Sequence, residues 1–241
     1  MSYLLYCIFR GRFPATLEIP DGVGGYRIFT ANYNGLGAAV SKLAEPPAPS
    51  GTEDLLAYER VVESFYRHLT VIPMRYGCRV ACPYDAVILL RENYQAYSEL
   101  LLELEGLAEV GIQVLVDNSV AAGETGQSAR LPEWFPRRAS PSGAAYLEAQ
   151  KLGCPSDQHA TTVQHALIEN LCDSLHGSFV RHKVEFPCSK RSHLLSLYFL
   201  VPRDSVETFR HTARSLPANP SFKLLLSGPW PPYNFVDVLQ P

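Results

Sequence analysis

Apolar positions along this chain change period several times, and each change marks an element. The run Tyr3-Leu4-Leu5-Tyr6-Cys7-Ile8-Phe9 is short and continuously apolar, which predicts a buried strand. A second strand is expected over 26–30, entered from the turn-rich Asp21-Gly22-Val23-Gly24-Gly25. A third follows over 36–40, after the hairpin signal Asn34-Gly35. Pro46-Pro47-Ala48-Pro49-Ser50-Gly51 then breaks the pattern. A helix starts next, with Thr52 as N-cap and Glu53 and Asp54 in a first turn that suits the helix dipole. Leu55, Val62, Phe65, Tyr66 and Leu69 recur at helical spacing as its buried stripe. The segment 70–77 reads as a strand, and Pro73 places it at an edge or a bulge because proline donates no ladder hydrogen bond. Pro83 suits the first turn of the next helix, whose apolar side carries Val87, Leu90, Tyr94, Tyr97, Leu101 and Leu104 until Gly106 ends it.

Beyond Gly106 the order is a strand at 110–116, a long Gly/Ser/Pro-rich loop at 117–140, and helices at 143–152 and 158–176. Strands at 179–186 and 194–201, a helix at 205–215 capped by Asp204, and a strand at 222–226 complete it. That is β-α-β-β-α-β, the ferredoxin-like order. The expected class is α+β in two domains: 1–107, a mixed N-terminal domain, and 108–241, a ferredoxin-like domain ending in a proline- and aromatic-rich tail at 228–241. In that tail Gly228-Pro229 reads as a turn, and Pro229, Pro231 and Pro232 keep it out of the interior of a helix or sheet. Trp230, Tyr233 and Phe235 then lie along a stiff strip that either seals the protein's own halves or grips a partner. A structural clamp is the expected role. Trp134-Phe135, an aromatic pair in the long loop, is the candidate contact surface.

Composition narrows the classes. The chain has 241 residues, 46% hydrophobic and 19% charged, enough to bury a core. Its 21 basic and 24 acidic residues leave a net charge of −3, which argues against a nucleic-acid partner. The longest apolar stretch, 194–201, is far below the ~20 residues of a membrane helix, so no membrane partner is expected. Six cysteines are too few for a disulfide framework at this length, and no signal-peptide pattern opens the chain. A soluble, intracellular protein with reduced thiols is the expectation.

Candidate chemistry is thin. Gly22-Val23-Gly24-Gly25 precedes a strand and lacks a following Lys-Ser/Thr, so it is a turn and not a phosphate loop. His165, Cys172 and His176 share one face of the 158–176 helix, but Val163, Leu167, Leu171 and Leu175 claim the face that should be buried, so the His/Cys stripe points away from a closed zinc site. Glu59 and Glu63 share a helix face beside Arg60 and Arg67 and read as a solvated charged face, with a pair to Arg75 as the alternative. No catalytic, cofactor-binding or metal-ligating residue is assigned, and no cofactor is expected.

Several segments together resemble one family. The opening 3–8, the Leu55-Leu56-Ala57-Tyr58-Glu59-Arg60-Val61-Val62-Glu63 helix, Thr70-Val71-Ile72-Pro73-Met74-Arg75-Tyr76-Gly77, Gly143-Ala144-Ala145-Tyr146-Leu147 and Leu224 to Val236 with its Gly-Pro-Trp-Pro-Pro-Tyr core are similar to segments of the gas vesicle protein F/L family (GvpF/GvpL), in the same order. Cys7 and Tyr58 stand where that pattern usually has Gly and His. The resemblance implies an accessory or minor structural protein of gas vesicle formation, not an enzyme, located with the gas vesicle in the cytoplasm. It implies contact with the small hydrophobic shell subunit, and with other gas vesicle accessory proteins as further partners. An open sheet edge at Val71 and Met74 and the loop at Trp134 and Phe135 are the candidate contacts. The alternative is a ligand-binding protein or enzyme on a ferredoxin-like scaffold, marked by a deep pocket with convergent polar groups.

Overall fold

The computed structural model describes residues 2–11, 13, 18–43, 51–116, 162–185, 194–216 and 222–236. Within these, residues up to Gly106 and residues from Trp230 onward form one compact unit, and residues from Leu107 to Pro229 form the other. The tail was expected with the C-terminal half; from Trp230 on it groups with the N-terminal one.

The first unit is built on a five-stranded sheet of β1 (Ser2–Arg10), β2 (Phe29–Tyr33), β3 (Leu36–Leu43), β4 (Val71–Pro73) and β5 (Arg79–Val80). Its order is β2-β3-β1-β4, with β5 also paired to β1. Asn34 and Gly35 both have positive φ, 46° and 84°, the two-residue turn that lets β2 and β3 close as a tight hairpin. Helix α1 (Thr52–Tyr66) lies on one sheet face, where its Phe65 meets Phe9 at 5.0 Å. Helices α2 (Pro83–Glu92) and α3 (Tyr94–Glu103) supply the other layer, where Tyr94 meets Tyr33 edge-on at 6.0 Å. A sheet covered on both faces explains why β1 is apolar at every position from Leu4 to Phe9 and buried throughout. The register slips between Leu5 and Cys7, so Tyr6 is the extra residue of a bulge.

Several sequence expectations shift here: the strand expected over 26–30 runs over Phe29–Tyr33, and the one expected over 70–77 is only Val71–Pro73. Thr52 is the first helical residue and Gly51 the N-cap. The single helix expected from Pro83 to Gly106 is two: Asn93, at φ −108° and ψ 19°, leaves the helical region and its side-chain amide donates to the Leu89 carbonyl at 3.0 Å. Asparagine competes for backbone in this way, which is why it breaks an otherwise periodic stripe.

The second unit is a four-stranded sheet of β6 (Leu107–Val116), β7 (Arg181–Glu185), β8 (Leu194–Pro202) and β9 (Phe222–Trp230), in the order β7-β8-β6-β9. Strand pairing puts Val110, Ile112 and Val114 on one face with Phe199, Leu197 and Leu195. Helices α4 (Thr162–Ser174) and α5 (Val206–Arg214) supply the buried Leu171 and Phe209, and Phe209 sits 5.3 Å from Phe199. The opposite face carries Glu109, Gly111 and Gln113 against Leu200, Tyr198 and Ser196. At Gly111 a Cβ would lie 2.6 Å from Ser227 Oγ, so a side chain there would force the Ser227 hydroxyl to move. Strand β9 runs on through Gly228-Pro229 to Trp230, where a turn was expected. It lies at the end of the sheet order, the place where a sheet tolerates proline.

Candidate partner-binding site

The best-built polar centre of the first unit forms around Tyr58. This residue sits on the apolar stripe of α1, three positions after Leu55 and four before Val62, and it is fully buried. Its hydroxyl donates to the Met74 carbonyl at 2.5 Å, with the Tyr6 carbonyl at 3.0 Å and the Leu5 carbonyl at 3.4 Å. Its ring stacks on Tyr6 at 4.9 Å and meets Tyr76 edge-on at 5.3 Å. Tyr6 in turn shares a 2.9 Å hydrogen bond with Ser41 Oγ and accepts the Val23 N–H at 3.0 Å. The hub therefore pins the Tyr6 bulge, the start of the β1–β4 ladder and the loop into β2. Burial pushes the Tyr58 phenol well above its ordinary value, and the neighbouring Tyr233 adds to this. Burial likewise raises Tyr6. Both phenols stay protonated, so this centre donates hydrogen bonds and holds apolar contact.

The tail residues are placed as follows. Tyr233, Asn234 and Phe235 form one 3-10 turn, closed by bonds from the Tyr233 N–H to the Pro231 carbonyl at 2.8 Å and from the Phe235 N–H to the Pro232 carbonyl at 3.2 Å. Tyr233 and Phe235 are buried, whereas Trp230, the last residue of β9, is half-buried. Val71 and Met74 are fully buried, so their side chains offer nothing to a partner. Trp134 and Phe135 lie outside the described residues.

Acidic and metal-ligating groups fall apart rather than together. Glu63 pairs with Arg67 at 2.7 Å on the exposed side of α1. Burial, and then the charge of Glu63, raises the half-buried Glu59 carboxyl. His165 and His176 are exposed, while Leu171 and Leu175 are buried. Among the described residues no three His, Cys, Asp or Glu side chains converge as a metal site would need. No described helix is long and apolar enough to cross a membrane. Sequence reasoning missed Tyr58 as an organising residue, although its spacing within the Leu55–Val62 stripe was the signal.

Solved structures share this architecture. The chain superposes on the crystal structure of the gas vesicle protein GvpF from Anabaena sp. with a TM-score of 0.72 at 18% identity, covering 98% of this chain and 95% of that one. It superposes on GvpF from Microcystis aeruginosa with a TM-score of 0.71 at 16% identity, covering 98% of both. At that identity the likeness speaks for the fold. Sequence relatives include gas vesicle protein F1 of Halobacterium salinarum, 22% identical over 92% of this chain and 87% of the relative. Gas vesicle protein F of a Streptomyces species is 27% identical over 98% of this chain and 100% of the relative. Residues 2–237 match the family described as gas vesicle synthesis protein GvpL/GvpF. That span takes in the β1 bulge, the Tyr58 hub and the buried Tyr233–Phe235 turn alike, and by it this chain belongs to the GvpL/GvpF family of gas vesicle proteins.

Proposed function

We propose that this protein binds the small hydrophobic gas vesicle shell subunit and aids its assembly, as a non-enzymatic accessory or minor structural component of the vesicle in the cytoplasm. The observation that carries this reading is the family match over residues 2–237, joined by relatives named as gas vesicle proteins. A small apolar subunit with free strand edges aggregates in water before it assembles. A soluble partner that covers an apolar face or pairs with an edge delays that and seeds ordered growth. The contacts we assign are the sheet edge where β4 begins at Val71, beside the buried Met74, and the loop at Trp134 and Phe135. Other gas vesicle accessory proteins are the further partners of this reading.

Two structural readings accompany it. The two units are taken as two domains meeting near Gly106, the second of them ferredoxin-like. The sheet order β7-β8-β6-β9 supports the latter, since it is what a βαββαβ chain gives when its first and third strands lie side by side. Trp230, Tyr233 and Phe235 act as the clamp that ties the tail to the first unit, a role supported by the burial of the last two.

The experiment is a pull-down of purified shell subunit by the full chain. Retention by the wild type is expected, with weaker retention by Trp134→Ala/Phe135→Ala. No retention by the wild type overturns the function; undiminished retention by the double variant removes the loop from it.

A further inference from the structure

We propose that β2 is a docking edge at which two copies of this chain join, sheet to sheet, about a twofold axis at Ala31. Among the described residues five strands lie at sheet edges: β2, β4 and β5 in the first unit, β7 and β9 in the second, and β5 is only two residues long and carries Arg79. A free edge invites pairing with another chain, and proteins blunt such edges with charge, proline or brevity. Strand β4 has three residues, one of them Pro73. Strand β7 reads Arg181-His182-Lys183-Val184-Glu185, and β9 carries Lys223 and Pro229. Strand β2 reads Phe29-Thr30-Ala31-Asn32-Tyr33, with no charge and no proline. Among the described residues it pairs with β3 alone.

The hairpin fixes which groups face outward. Tyr33 and Leu36 flank the two-residue turn and form its closing hydrogen-bonded pair, so Tyr33, Ala31 and Phe29 direct their backbone groups at β3. Thr30 and Asn32 direct theirs away from the sheet. The Asn32 side chain marks this: its amide folds back onto the Thr30 carbonyl and hydroxyl, both at 3.3 Å. These long bonds occupy an acceptor that a passing strand would use, and they exchange readily for better ones.

A second copy fits because the strand is self-complementary. Antiparallel pairing centred on Ala31 sets Thr30 opposite the partner's Asn32 and Asn32 opposite the partner's Thr30, so each outward N–H meets a carbonyl. Phe29 then faces the partner's Tyr33, a favourable aromatic cross-strand pair, and no like charges meet. Ala31 sits at the axis, so the same strand serves both sides of the twofold interface. The surroundings are apolar as well. Of the six exposed large apolar side chains among the described residues, Phe29 lies on β2 and Tyr26 just before it. Tyr84 lies on α2, which packs against β2, and Tyr94 is in contact with Tyr33.

The test is the mass of the full chain in solution by light scattering and sedimentation, alone and without shell subunit. Twice the chain mass is expected. Asn32→Pro removes an outward N–H and leaves the β2–β3 ladder intact, so it should raise the dimer dissociation constant about tenfold or more. Asn32→Ala frees the Thr30 carbonyl and should leave the dimer at least as tight. Ala31→Cys keeps the backbone unchanged: at a non-hydrogen-bonded pair the Cα atoms lie about 4.5 Å apart, within disulfide reach. Oxidation should then yield a covalent dimer above the wild-type background. A monomeric wild type, an undisturbed dimer in a folded Asn32→Pro, or no crosslink at Ala31→Cys overturns the proposal. A monomer that nonetheless pairs its β2 edge with the shell subunit also overturns it.

Discussion

Removing one oxygen atom, Tyr58→Phe, tests the hub directly. The ring and its stack on Tyr6 at 4.9 Å stay in place, so no cavity of any size opens. What is lost is the donor to the Met74 carbonyl at 2.5 Å. The Tyr6 carbonyl keeps another partner, because it already accepts the Met74 N–H at 2.9 Å. The loss therefore falls on the Met74 carbonyl, at a residue with no solvent exposure. Leaving a buried acceptor without a donor costs roughly 1–3 kcal/mol. For a chain of this size each kcal/mol shifts the melting midpoint by about 2–4 °C. Near-UV circular dichroism or intrinsic fluorescence should then show a midpoint lower by about 2–12 °C. Far-UV dichroism at low temperature should be unchanged. A midpoint equal to the wild type's would refute the reasoning, since water or another donor would then be serving that carbonyl.

The tail gives a graded prediction: Tyr233→Ala, at a buried position, should cost about 3–5 kcal/mol in line with other buried aromatics, and the half-buried Trp230→Ala clearly less. Urea denaturation of the two variants checks the order, and a reversal would mean that the indole, not the 3-10 turn, anchors the tail. Glu59→Gln reports on burial of charge. The folded carboxyl holds its proton more tightly than the ordinary value of 4.5, so its ionised form is destabilising once the pH exceeds the raised folded value, and the effect vanishes below 4.5. The variant should melt higher than the wild type near neutral pH and together with it in acid; an equal gain on both sides of that window would show that ionisation is not the cause.

Much of the architecture is legible in short stretches of residues. The apolar runs 3–9 and 194–201, the Asn34-Gly35 turn and the Pro83 helix start each carry their own signal, because strand and helix periods and turn chemistry act over a few residues. The Gly-Pro-Trp-Pro-Pro-Tyr segment, with the four weaker matches, was enough to reach the family. Three-dimensional packing settled other matters. Asn93 divides one periodic stripe into two helices. Val71 and Met74, expected at an open edge, have fully buried side chains. Pro229 lies within a strand because that strand is last in its sheet. The tail from Trp230 packs with the unit that the chain left at Gly106. Such outcomes depend on which distant segments meet, and a local pattern of apolar and polar residues encodes the face a residue turns inward but not the partner that covers it.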